Sequence, residues 1–457
     1  MISRLSKTAR LLAGCGLLVI ATPGWASTVQ QTVTYASSIT EDAQGPLDLK
    51  MEVNYEATRT NAPIAVVMHQ FSQASGNFAD YRANAQRLRD AGFFVVTVAM
   101  RGRDGSDGVR DTGGLEIYDI YDAVEHVKAN FGGFVDTTNV SITGYSGGGG
   151  NVMSAVTKFP DYFRAASSFF GMSDYGYHAT NGWYQNGASS SHRTILNADV
   201  GNPNTGGAAV RDRYMARASN LASMNNPYTE IHLFVNNNET ISPKINDTSF
   251  RDNAVAAATS AGEFNNITVH IGQAGLYQDF NNNGINDPGE EQNWPHQAPT
   301  ATQQAAAEQW YLERLVSGQI AAPILNNADR LMVAGFVKTQ RFEAWLGDGQ
   351  NAAGYLDYSI VGSNFTFTLE LLTSDLSKTA RITVDMSSFT GTEFNVFRNG
   401  TLVDTFSGGG EYVFEGLAHN QTLNISAIPE PTTYVLIAAG VALAVSLRRR
   451  GVRAEQR

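Results

Sequence analysis

Gly144-Tyr145-Ser146-Gly147-Gly148 is a G-x-S-x-G run between a short apolar stretch, residues 140–143, and a stretch from Gly149 that can start a helix. A serine on a sharp strand-to-helix turn is a nucleophile elbow. The turn strains the serine's backbone, and only the smallest side chains fit two positions to either side, where Gly144 and Gly148 stand. The helix that follows aims backbone N–H groups at the reacting centre. Ser146 is therefore the candidate nucleophile. A serine hydroxyl is a poor nucleophile near neutral pH, so it needs a base, and the base needs an orienting acid. The oxyanion needs two backbone donors, and Gly147, directly after the nucleophile, is the first candidate.

A second run carries different chemistry. Asp279-x-Asn281-x-Asn283-Gly284-Ile285-x-Asp287-x-x-Glu290 matches the twelve-residue calcium-loop template. Side-chain oxygens fall at positions 1, 3, 5, 9 and 12, glycine falls at 6, and Ile285 offers its carbonyl at 7. A structural Ca²⁺ ion is expected there, and no organic cofactor. The only cysteine, Cys15, lies near the N-terminus, so the body of the chain has no disulfide and no thiolate metal site.

These residues must be held by an alternating framework. Apolar strands are expected at 63–70, 93–100, 163–171, 228–238 and 267–271, and helices at 81–91, 116–130, 248–261 and 300–317. Strands that are apolar throughout, alternating with helices, signify a parallel sheet covered on both faces. Residues 172–226 break this rhythm and read as a lid-like excursion over the sheet's C-terminal edge. From about residue 322 the pattern changes to short alternating strands, with Asn399-Gly400 a strong hairpin signal. The reading is a doubly wound α/β domain over 27–320, followed by a small, separate β-sandwich over 322–427.

Both ends read as processing segments. Arg4, Lys7 and Arg10, then an apolar run and Gly24-Trp25-Ala26, make residues 1–26 a secretory signal. At the other end, Pro429-Glu430-Pro431 precedes a short apolar run, residues 434–447, and Arg448-Arg449-Arg450. This arrangement resembles the PEP-CTERM sorting signal of Gram-negative bacteria. The resemblance implies export through the inner membrane, recognition by an exosortase-type machinery, a transient membrane anchor in 428–457, and a cell-surface or extracellular destination. The formal net charge is −11 even with these basic ends included, which argues against nucleic acid as a partner.

The middle of the chain, about residues 45–318, resembles the catalytic domain of the prolyl-oligopeptidase family, an α/β-hydrolase. The resemblance is carried by Leu88-Arg89-Asp90-Ala91-Gly92-Phe93 and by Met100-Arg101-Gly102-Arg103-Asp104-Gly105-Ser106. Residues 119–127, 136–146, 159–163 and 214–221 carry it further. It departs at Gln70, where the family has glycine. In this fold the triad follows the order Ser, acid, His, each just past a strand. The family pattern of an acid four residues before a proline points to Glu239, before Pro243, with Asp247 the alternative. His296 is the one of eight histidines in the loop between the last strand and the final helix, and is the candidate base. His69 is expected to line the site and His270 to pack in its strand, while His178 and His192 are candidates for substrate contact. Phe71 is the second oxyanion donor by resemblance. The resemblance implies a serine hydrolase acting on a peptide or ester bond. A carboxylesterase on the same fold is the alternative, and a non-catalytic extracellular matrix or binding protein is a reading of a different class.

Overall fold

The computed structural model describes residues 2–4, 27–39, 45–71, 75–226, 228–236, 239–261, 266–271, 296 and 301–428. Its first sheet has eight strands, ordered Thr28–Ala36, Asp48–Glu56, Phe94–Val98, Ala62–Met68, Val135–Tyr145, Ala165–Phe169, Glu230–Val235, Ile267–Ile271. The first two pair antiparallel and join Phe94–Val98 antiparallel, and all later pairings are parallel. Alternate residues of Ala62–Met68 serve two cores, as a two-residue side-chain period requires. Ile64, Val66 and Met68 pack with Ile117, Ile120 and Val124 of helix Glu116–Asn130 and with Val152 and Val156 of helix Gly147–Lys158. Ala65 and Val67 pack with Tyr81, Ala85 and Leu88 of helix Asn77–Asp90 and with Leu312 and Leu315 of helix Ala301–Val316. This is the α/β-hydrolase arrangement of a mostly parallel sheet with helices on both faces.

The sheet interior is not wholly apolar. Glu308 of the last helix is buried and accepts hydrogen bonds from Thr143 Oγ1 (2.8 Å), from Ser167 and from Arg87. This cluster ties two helices to two central strands. Helix Glu116–Asn130 likewise hides acids: Asp119 pairs with Arg101 at 2.7 Å and Glu116 with Arg103 at 2.8 Å, all four buried. Its Asp122 accepts from Ser38 N and Oγ, because the N-terminal arm lies across the helix, and burial pushes this carboxyl up to about 7.

Residues 172–226 hold the short helices Trp183–Asn186, Ser190–Asp199, Gly207–Met215 and Ser219–Ala222. They enclose a core of their own, with Met172, Tyr175, Trp183, Leu196 and Tyr214 fully buried.

The C-terminal strands form one antiparallel sheet folded over a single core. Phe342, Leu356 and Phe367 meet Ile382, Phe394, Phe414 and Ile425 inside it. Asn399 and Gly400, at φ 49° and 78°, make the two-residue turn between Glu393–Arg398 and Thr401–Ser407. Ile2–Arg4 adds a short strand beside Glu411–Ala418. Among the described residues no helix is long and apolar enough to cross a membrane, and residues 429–457 lie outside the description.

This all-β region is less separate than its sequence implies. Phe336 and Trp345 complete the core of the first sheet, with Tyr118 5.3 and 5.6 Å from their rings. Asn225 exchanges two 2.8 Å hydrogen bonds with the backbone of Met332. Lys158, buried at the end of its helix, donates to the carbonyls of Ala216 and Ala334 and lies 4.4 Å above the Phe336 ring. Burial pushes this ammonium down to about 7. The unfolded chain holds the same proton up to about pH 10, so stability from this residue rises as pH climbs from about 7 towards 10. The Tm of the parent minus that of Lys158→Met should therefore increase between about pH 7 and about pH 9. A difference that stays flat or falls over that range would show that Lys158 keeps its charge in the fold.

Candidate active site

Ser146 sits between strand Val135–Tyr145 and helix Gly147–Lys158 at φ 52°, ψ −118°. A positive φ is costly for a residue with a side chain and persists only where the surroundings fix it. Here the Ser146 amide donates to Phe169 O of the neighbouring strand at 2.8 Å. The flanking glycines are demanded by contact. A Cβ on Gly144 would stand 2.4 Å from Gly148 O, and one on Gly148 2.6 Å from Met68 O.

His296 Nε2 lies 2.8 Å from Ser146 Oγ. With its proton on Nδ1 the imidazole accepts from the serine hydroxyl. Glu239 Oε1 stands 3.1 Å from Nδ1, an ion-pair distance with the ring N–H angled off the oxygen. Glu239 follows strand Glu230–Val235, and its Oε1 also accepts from Ile241 N at 2.7 Å and Ser242 N at 3.0 Å. Those two amides lock the carboxylate to its own turn. Tyr145 and Phe170 flank the His296 ring at 5.2 and 5.8 Å, shielding one side from water. The structure thus brings Ser146, His296 and Glu239 into one chain of contacts.

The oxyanion candidates are neighbours. Gly147 is the first residue of its helix, so its N–H has no acceptor within the helix. A Cβ on Gly147 would fall 2.2 Å from Phe71 N. Phe71 follows strand Ala62–Met68, which pairs directly with the elbow strand. The chain order reverses at this strand pair, and such switch points are where open α/β sheets bind ligands. Gly147→Ala should push the Phe71 backbone aside and lower kcat by about 10²–10³-fold, the scale of losing one oxyanion donor. An unchanged kcat in this variant would remove Phe71 from the role.

The other histidines have other partners. His69 is buried between the carbonyls of Gln70 and Ala99, both at 2.9 Å, and burial pushes it down to about 4. His270 stacks on Phe234 and contacts His232 at 2.7 Å. His178 is bound to Asp174 at 2.5 Å, which raises its pKa. His192 packs on Phe71 and Trp183 at 5.6 and 5.0 Å and is close enough to His296 to feel its charge. Phe71, Trp183 and His192 thus pack as one aromatic cluster. Their assembly depends on contacts across more than a hundred residues, and the only local sign was Ser189, whose hydroxyl caps the helix that carries His192.

Asp247, the alternative acid, is buried, and the carboxylate paired with His296 is that of Glu239. Asp279, Asn281, Asn283, Ile285, Asp287 and Glu290 lie outside the described residues. Among the described residues no group of three His, Cys, Asp or Glu could hold a metal ion.

Residues 79–198, about a quarter of the chain, match the sequence profile of the prolyl oligopeptidase family. The match contains the elbow and stops short of Glu239 and His296. A comparison with curated proteins finds no match. Among solved structures, an acylaminoacyl peptidase from Pyrococcus horikoshii is 14% identical, with a TM-score of 0.45, over 66% of this chain and 43% of its own. Oligopeptidase B from Leishmania major is 12% identical, with a TM-score of 0.44, over 64% of this chain and 37% of its own. An esterase from Pyrococcus furiosus is 14% identical, with a TM-score of 0.38, over 65% of this chain and 95% of its own. The chain spans less than half the length of either peptidase.

Proposed function

We propose that this serine hydrolase cleaves a peptide or ester bond through an acyl-enzyme, with Ser146, His296 and Glu239 as its triad. The observation that carries the proposal is the continuous contact chain from Ser146 Oγ through the imidazole to the anchored Glu239 carboxylate. Ser146 Oγ attacks the substrate carbonyl as His296 Nε2 takes its proton. Glu239 holds the proton on Nδ1 and stabilises the imidazolium. The amides of Gly147 and Phe71 face the oxyanion. His296 then protonates the leaving amine or alcohol. Water, activated by the same imidazole, releases the acid and restores Ser146. The profile match makes peptides the first substrate class to test. The same groups serve a carboxylic ester without change. A purely binding protein would have no need of a nucleophile held at positive φ against a histidine. The deciding experiment compares kcat/KM for short acyl-peptide anilides with that for short-chain p-nitrophenyl and acetylated-sugar esters. Turnover of amides supports the peptidase reading, and turnover confined to esters supports the carboxylesterase.

We further propose export, on the residues of the leader and the C-terminal Pro-Glu-Pro segment, and a Ca²⁺ ion in the 279–290 loop. Glu290 is six positions before His296 in the chain. Without the ion, Asp279, Asp287, Glu290 and Glu291 repel one another in a stretch with little apolar surface. A misplacement of about 1 Å can cost roughly 10²-fold in rate. Chelation should therefore lower turnover about tenfold or more while leaving helix content unchanged, and Ca²⁺ should restore it better than Mg²⁺. A turnover rate independent of free Ca²⁺ from micromolar to millimolar, with no binding by calorimetry, would refute the site.

A further inference from the structure

Glu239 sits in a turn that solvent borders on its outer side. Thr240 and Ile241 are exposed, while Glu239 and Ser242 are buried. Such a turn keeps its shape through the bonds its inner atoms make. Ser242 Oγ donates to Gly171 O at 2.7 Å. The Ile241 carbonyl accepts from Trp183 Nε1, on the first of the short helices in 172–226, at 2.5 Å.

That second bond bears on the acid through one peptide unit. The Ile241 carbonyl and the Ser242 N–H are opposite ends of the same planar group. Ser242 N donates to Glu239 Oε1 at 3.0 Å, and Oε1 is the oxygen that faces His296. A grip on the carbonyl therefore sets the direction of the N–H, and it also polarises that N–H into a better donor. The indole is itself fixed. Trp183 is fully buried, with the rings of Phe71, His192 and Tyr175 at 4.9, 5.0 and 6.2 Å, and its backbone N donates to Asp174 O at 2.8 Å. Gly187 closes the joint without a side chain. A Cβ there would stand 2.4 Å from Ile241 O and 2.9 Å from Trp183 Cδ1.

We propose that Trp183 is a positioning residue for the triad: its indole N–H grips the Ile241 carbonyl and so aims the Ser242 amide that holds the Glu239 carboxylate against His296. The inference rests on Glu239 being the triad's acid. It makes the 172–226 segment part of the triad's support, although Trp183 touches none of the three side chains' reacting atoms.

Three variants of the full chain test it. Trp183→Phe keeps a ring in the aromatic cluster and loses the donor, so kcat should fall about tenfold with KM changed by less than about twofold. Gly187→Ala keeps the indole and presses on the Ile241 carbonyl, so kcat should fall about threefold or more, again with little change in KM. Added to Glu239→Gln, Trp183→Phe should cost less than about threefold more, because the charge that the peptide positions is already gone. Parental kcat in a folded Trp183→Phe protein overturns the proposal. A loss confined to KM also overturns it, since Trp183 would then serve substrate binding. So does a loss in the Glu239→Gln background as large as that in the parent, since Trp183 would then act independently of the acid. Should the phenylalanine variant not fold, Gly187→Ala, alone and with Glu239→Gln, decides by the same criteria. Failure of the triad reading itself is seen separately, as a loss under about tenfold in Glu239→Gln alone.

Discussion

Ser146→Ala should lose hydrolysis by about 10⁴- to 10⁶-fold on every substrate the parent turns over. The replacement removes only Oγ. It leaves the amide that donates to Phe169 O and the glycine contacts around the elbow. No core atom is deleted and no new φ is imposed, so Tm should stay within ~2 °C of the parent. Substrate KM should change little, because the oxyanion amides remain in place. Progress curves with each substrate class, run at high enzyme concentration, measure the residual rate. A variant that keeps even a tenth of parental activity would move the nucleophile elsewhere.

Glu239→Gln should lower kcat by about 10²- to 10⁴-fold, by a different route. The amide can keep its oxygen on Ile241 N and Ser242 N, the bonds that fix the turn. The same oxygen then still faces His296 Nδ1, but without the charge that stabilises the imidazolium. The geometry survives and the base is weakened. Fold and KM should be near parental while kcat collapses. A modest loss, under about tenfold, would mean that another carboxyl group orients the histidine.

The elbow was legible because its constraints are local. Strand, turn and helix are contiguous, and the glycine at 144 is required by Gly148 O, an atom that the turn itself brings close, whereas Gly148 makes room for Met68 O of the neighbouring strand. Glu239 was placed by the resemblance, as the acid four residues before Pro243, and His296 by chain order, as the histidine between the last strand and the final helix. The acid was ambiguous in sequence for a physical reason. Glu239 and Asp247 flank one turn, and only the direction of that turn decides which carboxylate meets the imidazole. Helix Glu116–Asn130 shows what periodicity misses. Its three acids Glu116, Asp119 and Asp122 are buried although they are charged residues. Arg101, Arg103 and Ser38, remote in sequence, neutralise or cover them. The union of the two sheets was invisible for the same reason. Lys158 in sequence is an ordinary basic residue in a helix's last turn, and only the fold places Phe336 and two carbonyls around it.

The central claim is that Ser146 is a nucleophile activated by His296 and Glu239. Active-site titration with a fluorophosphonate, read by intact mass and peptide mapping, tests it without knowledge of the substrate. The account predicts one adduct per chain, on the peptide that carries Ser146, absent from Ser146→Ala and greatly slowed in Glu239→Gln. An adduct on any other residue, or labelling that persists in Ser146→Ala, would contradict it.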